Sequence, residues 1–183
     1  TLGIFLQLAG DTGSSLLAFA LAGGVLGFLY FNLDPAKIFM GDTGSLLLGF
    51  VIAVLTIKLT NSNIILPNGS IVHPAIVALG IVLIPVFDTA RVFLQRIWKG
   101  GSPFVADRTH LHHYFTNNGI GHAITTASIL AINGTVLMIS LQVQYKNPNL
   151  AVLLLLIFMV CITYLCSSIA YFSFGKQKKL SNN

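Results

Sequence analysis

Apolar residues run along this chain in five long blocks, roughly 14–31, 45–60, 74–98, 123–143 and 149–174. Gly, Pro, Asn, His and charged residues collect between them. A helix crossing the hydrocarbon core needs ~20 predominantly apolar residues, with a range of ~17–25. Each block is near that length, 45–60 being slightly short, so the pattern predicts five spanning helices. The opening TLGIFLQLAG has nine or ten mostly apolar residues, about half a span, with no basic leader and no cleavage site. It reads as the tail of a helix whose start is missing, and the chain is expected to be a C-terminal fragment or a truncated product. The expected fold is all-α: a polytopic transmembrane helix bundle with five full spans plus the end of a sixth, in one integral-membrane domain, 1–183.

Composition sharpens this picture. The 183 residues are 55% hydrophobic and 8% charged, with a mean hydropathy of +0.83, against about 25% charged residues in soluble domains. A soluble globular protein is excluded. There is no glutamate, and the five acids are Asp11, Asp34, Asp42, Asp88 and Asp107, so each acid calls for an explanation. Cys161 and Cys166, five apart, do not face each other on a helix. They have neither disulfide nor metal-ligand spacing and read as packing residues.

Lys and Arg in short loops set orientation. Arg91, Arg96, Lys99 and Arg108 lie in 91–122, Lys37 in 32–44, and Lys176, Lys178 and Lys179 in the tail. The 61–73 loop has no Lys or Arg, though Lys58 sits just before it, and 144–148 has only Lys146. Loops 32–44 and 99–122 and the C-terminus are therefore expected on the cytoplasmic side. Loops 10–13, 61–73 and 144–148 are expected outside.

Two stretches nearly repeat each other: GDTGSSLLAF at 10–19 and GDTGSLLLGF at 41–50, identical at eight of ten positions. Alternation places them on opposite faces, so at most one serves a given site. An Asp before a helix serves as an N-cap and suits the positive helix end, which suffices for Asp11. Asp42 has a second reading, a ligand for a divalent metal, with Gly41 and Gly44 letting a phosphate approach the backbone. The 32–37 segment NLDPAK contains Asn32, Asp34 and Lys37. They are either turn residues around Pro35 or neighbours of Asp42, with Lys37 facing a phosphate.

SPFVADRTHLHHYF (102–115) gathers His110, His112 and His113 beside Asp107 and Arg108. A zinc site lacks a completing Cys or Glu, and a pH sensor is an alternative. The preferred reading is an anion cluster in which Arg108 and the imidazoles hold phosphate oxygens. His73 and His122 read as structural or solvated. Asp88 lies in the cytoplasmic half of a span, where an ionisable group is costly and usually functional. The plainer reading is an i,i+3 ion pair with Arg91. Arg96, Trp98 and Lys99 read as an interfacial anchor.

Together, FNLDPAKIFMGDTGSLLLGF and SPFVADRTHLHH resemble the polyprenyl-phosphate N-acetylhexosamine-1-phosphate transferases of glycosyltransferase family 4, over about residues 24–115. The SPF and ADR elements look more like the branch starting O-antigen or teichoic acid linkage than the muramoyl-pentapeptide branch. The resemblance implies transfer of a sugar-1-phosphate, GlcNAc-1-phosphate being expected, from a UDP-sugar to undecaprenyl phosphate at the cytoplasmic face of a bacterial inner membrane, with release of UMP. It implies Mg²⁺, with Mn²⁺ as an alternative, held by Asp42. Carried over, His112 joins Asp42 as catalytic, while Asn32, Lys37, Arg108, His110 and His113 bind substrate. Asn32, Pro35 and Ala36 match residues that precede the metal Asp in the family, and Asp11 has no counterpart there. The implied partners are the UDP-sugar, the polyprenyl phosphate, the bilayer and a second copy in a homodimer, with no nucleic acid. The family's upstream Asp-Asp pair and DGxDG motif are absent from this sequence, so the isolated chain is expected to be inactive. Two alternatives stay open: a non-catalytic truncated relative, and a small transporter with Asp88 as its ion site.

Overall fold

The structure is a computed structural model, and it describes residues 1–32, 36–65, 71–102, 110–116, 120–145 and 147–181. Within these, the side chains of Ile71, residues 112–114 and residues 166–181 are outside the description. The elements are α1 (Leu2–Leu8), α2 (Thr12–Asn32), α3 (Gly41–Thr60), β1 (Ile64–Ile65), β2 (Ile71–Val72), α4 (Pro74–Trp98), α5 (Leu111–Thr116), α6 (His122–Val143) and α7 (Pro148–Ser181). The five long helices are each long and apolar enough to cross a membrane. The fold is the all-α polytopic bundle that the hydrophobic blocks predict. Block 45–60 extends back to Gly41 and reaches full span length, and α1 occupies the opening apolar stretch.

Local chemistry sets several boundaries. Pro74 opens α4, where its missing N–H costs nothing and its fixed φ suits a first turn. Gly100 follows the end of α4 at φ +73°, the left-handed conformation that commonly ends a helix. The 61–73 connection is a short antiparallel hairpin, pairing Ile64 with Val72 and Ile65 with Ile71.

α4 is the central helix. Of its most apolar window 39% is buried, against 11% for α2 and for α3. One face of α4 joins a cluster with Leu6, Leu55, Leu59, Ile64 and Val72. The other packs Leu83 and Ile84 with Leu111, Val136, Leu155 and Met159. The outer faces of α2 and α3 leave Leu16, Phe19, Leu46 and Phe50 exposed, as suits a surface solvated by lipid tails. Cys161 is also exposed. It lies outside the core, contrary to the packing role read from its apolar surroundings, and Cys166 falls among the undescribed side chains.

Successive long helices alternate in direction, and side-chain bonds fix which ends meet. Lys58, near the end of α3, reaches Asp11 (3.2 Å) and Ser14 (2.6 Å) at the start of α2. The His73 amide, at the start of α4, donates to Gln144 Oε1 just past α6 (3.2 Å). One end of the bundle thus carries Asp11, Lys58, the hairpin, His73 and Gln144. The opposite end carries Asn32, Lys37, Asp42, Trp98 and Lys99, while α5 packs through Leu111 against the middle of α4, beside Leu83 and Ile84.

Candidate functional site at the Asp42 end

The two copies of GDTGS meet different fates. Asp11 caps α2: its Oδ1 accepts the Ser14 amide at 3.0 Å, and Oδ2 pairs with Lys58. The Ser14 amide, the Ser14 hydroxyl and the Lys58 ammonium, in that order, lower its pKa from 3.8 to about 2. The cap expected of the first copy is what the structure has. The Lys58 partner comes from 47 residues away, so its own loop gave no sign of it.

Asp42 sits within the first turn of α3 rather than before it. The N-cap position falls on Met40, with no side-chain cap bond. Ser45 Oγ donates to the Asp42 backbone carbonyl at 3.1 Å. The Asp42 carboxylate is exposed and has no hydrogen-bond or ion-pair partner among the described residues. The plain capping reading therefore fits the first copy and not the second. Gly41, at φ +66°, has open space where a Cβ would stand. Gly44 does not: a Cβ there would lie 2.6 Å from Met40 Cγ. The Met40 side chain covers Gly44, so only Gly41 presents the open backbone expected of both glycines. Lys37 is exposed and its amide donates to the Phe31 carbonyl at 3.0 Å. Asn32 is the last residue of α2 and is half-buried. Asp34 and Pro35 lie outside the described residues.

Asp88 connects α4 to the histidine motif. Its side chain is only 13% exposed. Arg91 Nη2 donates to Oδ1 at 2.7 Å, and His110 Nδ1 lies 2.9 Å from Oδ2. The Leu111 amide lies 3.1 Å from both oxygens. A carboxylate taken from water costs several kcal/mol unless donors replace its solvation, and here three residues replace it. Leu111, 2% exposed, then plugs α5 into the core beside Leu83, Ile84 and Val136. The ion pair with Arg91 is as expected. The grip on a residue 22 positions downstream was not foreseen. The available signal was an acid in the same half of the membrane as a histidine cluster. With both oxygens engaged by protein donors, nothing observed favours the ion-carrier alternative.

The motif at 102–115 is not all loop, because α5 begins at Leu111 and carries His112 and His113 in its backbone. Their side chains, and Asp107 and Arg108 altogether, lie outside the described residues. His73 is exposed at the N-cap of α4, and His122 opens α6, also exposed.

The family model for glycosyl transferase family 4 matches residues 1–60. A probable undecaprenyl-phosphate N-acetylglucosaminyl 1-phosphate transferase of Bacillus subtilis (strain 168) is 36% identical over 146 residues, 80% of this chain and 38% of that protein. The chain belongs to glycosyl transferase family 4. An undecaprenyl-phosphate alpha-N-acetylglucosaminyl 1-phosphate transferase of Yersinia pestis is 30% identical over 147 residues, 74% of this chain and 38% of the relative. Its namesake from Escherichia coli (strain K12) is 27% identical over 124 residues, 64% of this chain and 32% of the relative. The chain thus spans 32–38% of these relatives' length. No solved structure matches it significantly. A stretch of 146 residues in a chain of 183 necessarily includes everything from Asp42 to His113. The similarity to the Bacillus subtilis protein thus takes in Asp42, Asp88 and the histidine motif.

For a family 4 chain, the question of metal rests on Asp42. Among the described residues no three His, Cys, Asp or Glu side chains gather as a ready-made cage. Mg²⁺ does not require one, since it commonly takes one or two carboxylates plus substrate phosphate and water. A bare, exposed carboxylate in a first helical turn fits that mode of binding.

Proposed function

We propose that this chain forms part of a transferase that moves a sugar-1-phosphate from a UDP-sugar, UDP-GlcNAc being the expected donor, onto undecaprenyl phosphate. The reading is carried by one observation: the exposed Asp42 carboxylate, at the end of the bundle shared with Asn32, Lys37, Trp98 and Lys99, has no hydrogen-bond or ion-pair partner among the described residues. Family membership and the names of the relatives support it. By the distribution of Lys and Arg, that end is the cytoplasmic one.

In the reaction, an oxygen of the lipid phosphate attacks the sugar-bearing phosphorus of the donor. A new P–O–P bond forms, the bond to the UMP phosphate breaks, and UMP leaves with the electron pair. Both reactants are anions, so the site must supply positive charge. Asp42 would hold Mg²⁺, or Mn²⁺, which when bound neutralises and polarises the diphosphate. Asn32, Lys37, Arg108, His110 and His113 would bind the substrate phosphates and sugar, and His112 would stabilise charge gathering on the leaving UMP. A site at the headgroup plane would suit the acceptor, whose phosphate resides there.

The test is UMP release by the complete reading frame, supplied with UDP-GlcNAc and undecaprenyl phosphate. Wild type should release UMP and Asp42→Asn should not, while eluting normally in detergent. A wild-type protein inert with every UDP-N-acetylhexosamine would refute the reading. The 183-residue chain alone is expected to release little or no UMP.

A further inference from the structure

We propose that Asp88 is a positioning residue for His110, fixing the ring as the Nδ1–H tautomer. The geometry carries this. A carboxylate only accepts hydrogen bonds, so the 2.9 Å contact between Asp88 Oδ2 and His110 Nδ1 requires the hydrogen on Nδ1. The carboxylate cannot rotate away to release the ring. Its Oδ1 is held by Arg91 Nη2 at 2.7 Å, and the Leu111 amide bridges both oxygens at 3.1 Å. The Leu111 amide belongs to the residue following His110, and its side chain is locked in the core. One carboxylate therefore sets the ring's tautomer and the backbone position at which the ring is attached. A second group that orients an imidazole through its far nitrogen is a recurrent device at phosphate, metal and acyl-transfer sites.

The catalytic consequence rests on the proposed transferase reading. Held this way, the neutral ring offers only a lone pair at Nε2; once Nε2 takes up a proton, the Asp88-paired imidazolium can donate Nε2–H to the departing phosphate oxygen. With Asp88 replaced by a neutral residue, that cation loses the carboxylate that balances it. Loss of an orienting partner of this kind commonly lowers activity about 10- to 100-fold.

The experiment has two arms. In the first, the chain is labelled with ¹⁵N-histidine and placed in lipid nanodiscs, and the ring nitrogens are recorded above the imidazole titration. His110→Gln assigns the His110 signals. The expected wild-type spectrum shows Nδ1 protonated and Nε2 bare. In Asp88→Asn the amide can donate to Nδ1, and the population should move toward Nε2–H. Arg91→Gln leaves the carboxylate in place and should keep the wild-type pattern. A wild-type ring that is mainly Nε2–H overturns the proposal without any variant. So does an unchanged spectrum in Asp88→Asn, or a shift of equal size in Arg91→Gln.

In the second arm, Asp88→Asn in the complete reading frame should lower kcat by about 10- to 100-fold, leaving KM for UDP-GlcNAc within a few-fold. A raised KM with unchanged kcat would overturn the kinetic claim. If the wild-type frame lacks transferase activity, the functional reading fails, and the spectra still decide the role of Asp88.

Discussion

A tight helix contact in the core makes a sharp prediction at Gly80. This residue is buried where α4 crosses α6, and a Cβ there would lie 2.7 Å from Ser140 Cβ, closer still to Ser140 Oγ, and 3.7 Å from Leu137 Cα. Ser140 is fully buried and its hydroxyl donates to the Leu137 carbonyl at 2.7 Å, so it cannot turn aside without giving up that bond. In Gly80→Ala, alanine's helix preference favours the variant by about 1 kcal/mol. Overpacking costs about 1–3 kcal/mol, and displacing the Ser140 hydroxyl adds about 0.5–1.5 kcal/mol. The clash wins, with a net loss of about 0.5–3.5 kcal/mol, centred on about 2 kcal/mol. At about 2–4 °C per kcal/mol for a chain of this size, the central value lowers Tm by roughly 4–8 °C. The assay is thermal unfolding in detergent, followed by far-UV circular dichroism. Gly134→Ala, which meets open space on α6, is the control and should hold or slightly raise Tm. Adding Ser140→Gly to Gly80→Ala returns the clearance and should recover part of the loss. If Gly80→Ala melts at or above wild type, α4 and α6 are not packed as described.

Asp11→Asn and Asp42→Asn should behave oppositely in the complete frame: the first keeps UMP release because Asn is an equally good N-cap, and the second abolishes it. The Asp11 carboxyl, read by ¹³C NMR, should titrate near pH 2, and Lys58→Met should move its midpoint upward. Because the folded pKa lies below the ordinary 3.8, the stabilisation from Asp11 is complete above that pH and fades as pH falls toward 2. A midpoint near 3.8 would contradict the Ser14 and Lys58 contacts. Gln144→Leu leaves the His73 amide without its acceptor and should destabilise the chain by about 1–3 kcal/mol, read as a lower detergent Tm.

The spans were legible because hydrophobic length has a direct physical meaning in a bilayer, and Pro74 and Gly100 punctuate α4 by the same local chemistry that a sequence displays. The side-to-side alternation of helices was legible too, and it sorted Asp11 from Asp42 correctly. What stayed hidden depends on distance in space. The Lys58 that pairs with Asp11, at the start of α2, lies at the far end of the following span, α3. The Asp88 that holds His110 is separated from it by a helix end and a connection. Met40 folding over Gly44 could not be read from a GDTGS string, since backbone access depends on a neighbouring rotamer. Met40 is also why a glycine in the motif does not by itself mean an open approach.

The near-repeat makes a general point about function at helix starts. The two decapeptides share the string GDTGS, with its carboxylate, two glycines and two hydroxyls, and both begin a spanning helix. Intrinsic chemistry is therefore equal, and only surroundings distinguish them. At Asp11 a lysine and a serine amide already satisfy the charge, so a metal or phosphate would have to displace bonds that the fold has made. At Asp42 the carboxylate has no hydrogen-bond or ion-pair partner among the described residues, and the helix start forgoes a side-chain cap. Asp88 takes the contrary course, engaging both oxygens with protein donors and holding a histidine in place. On the proposed reading, one acid is left open for a ligand and the other is used to position a side chain.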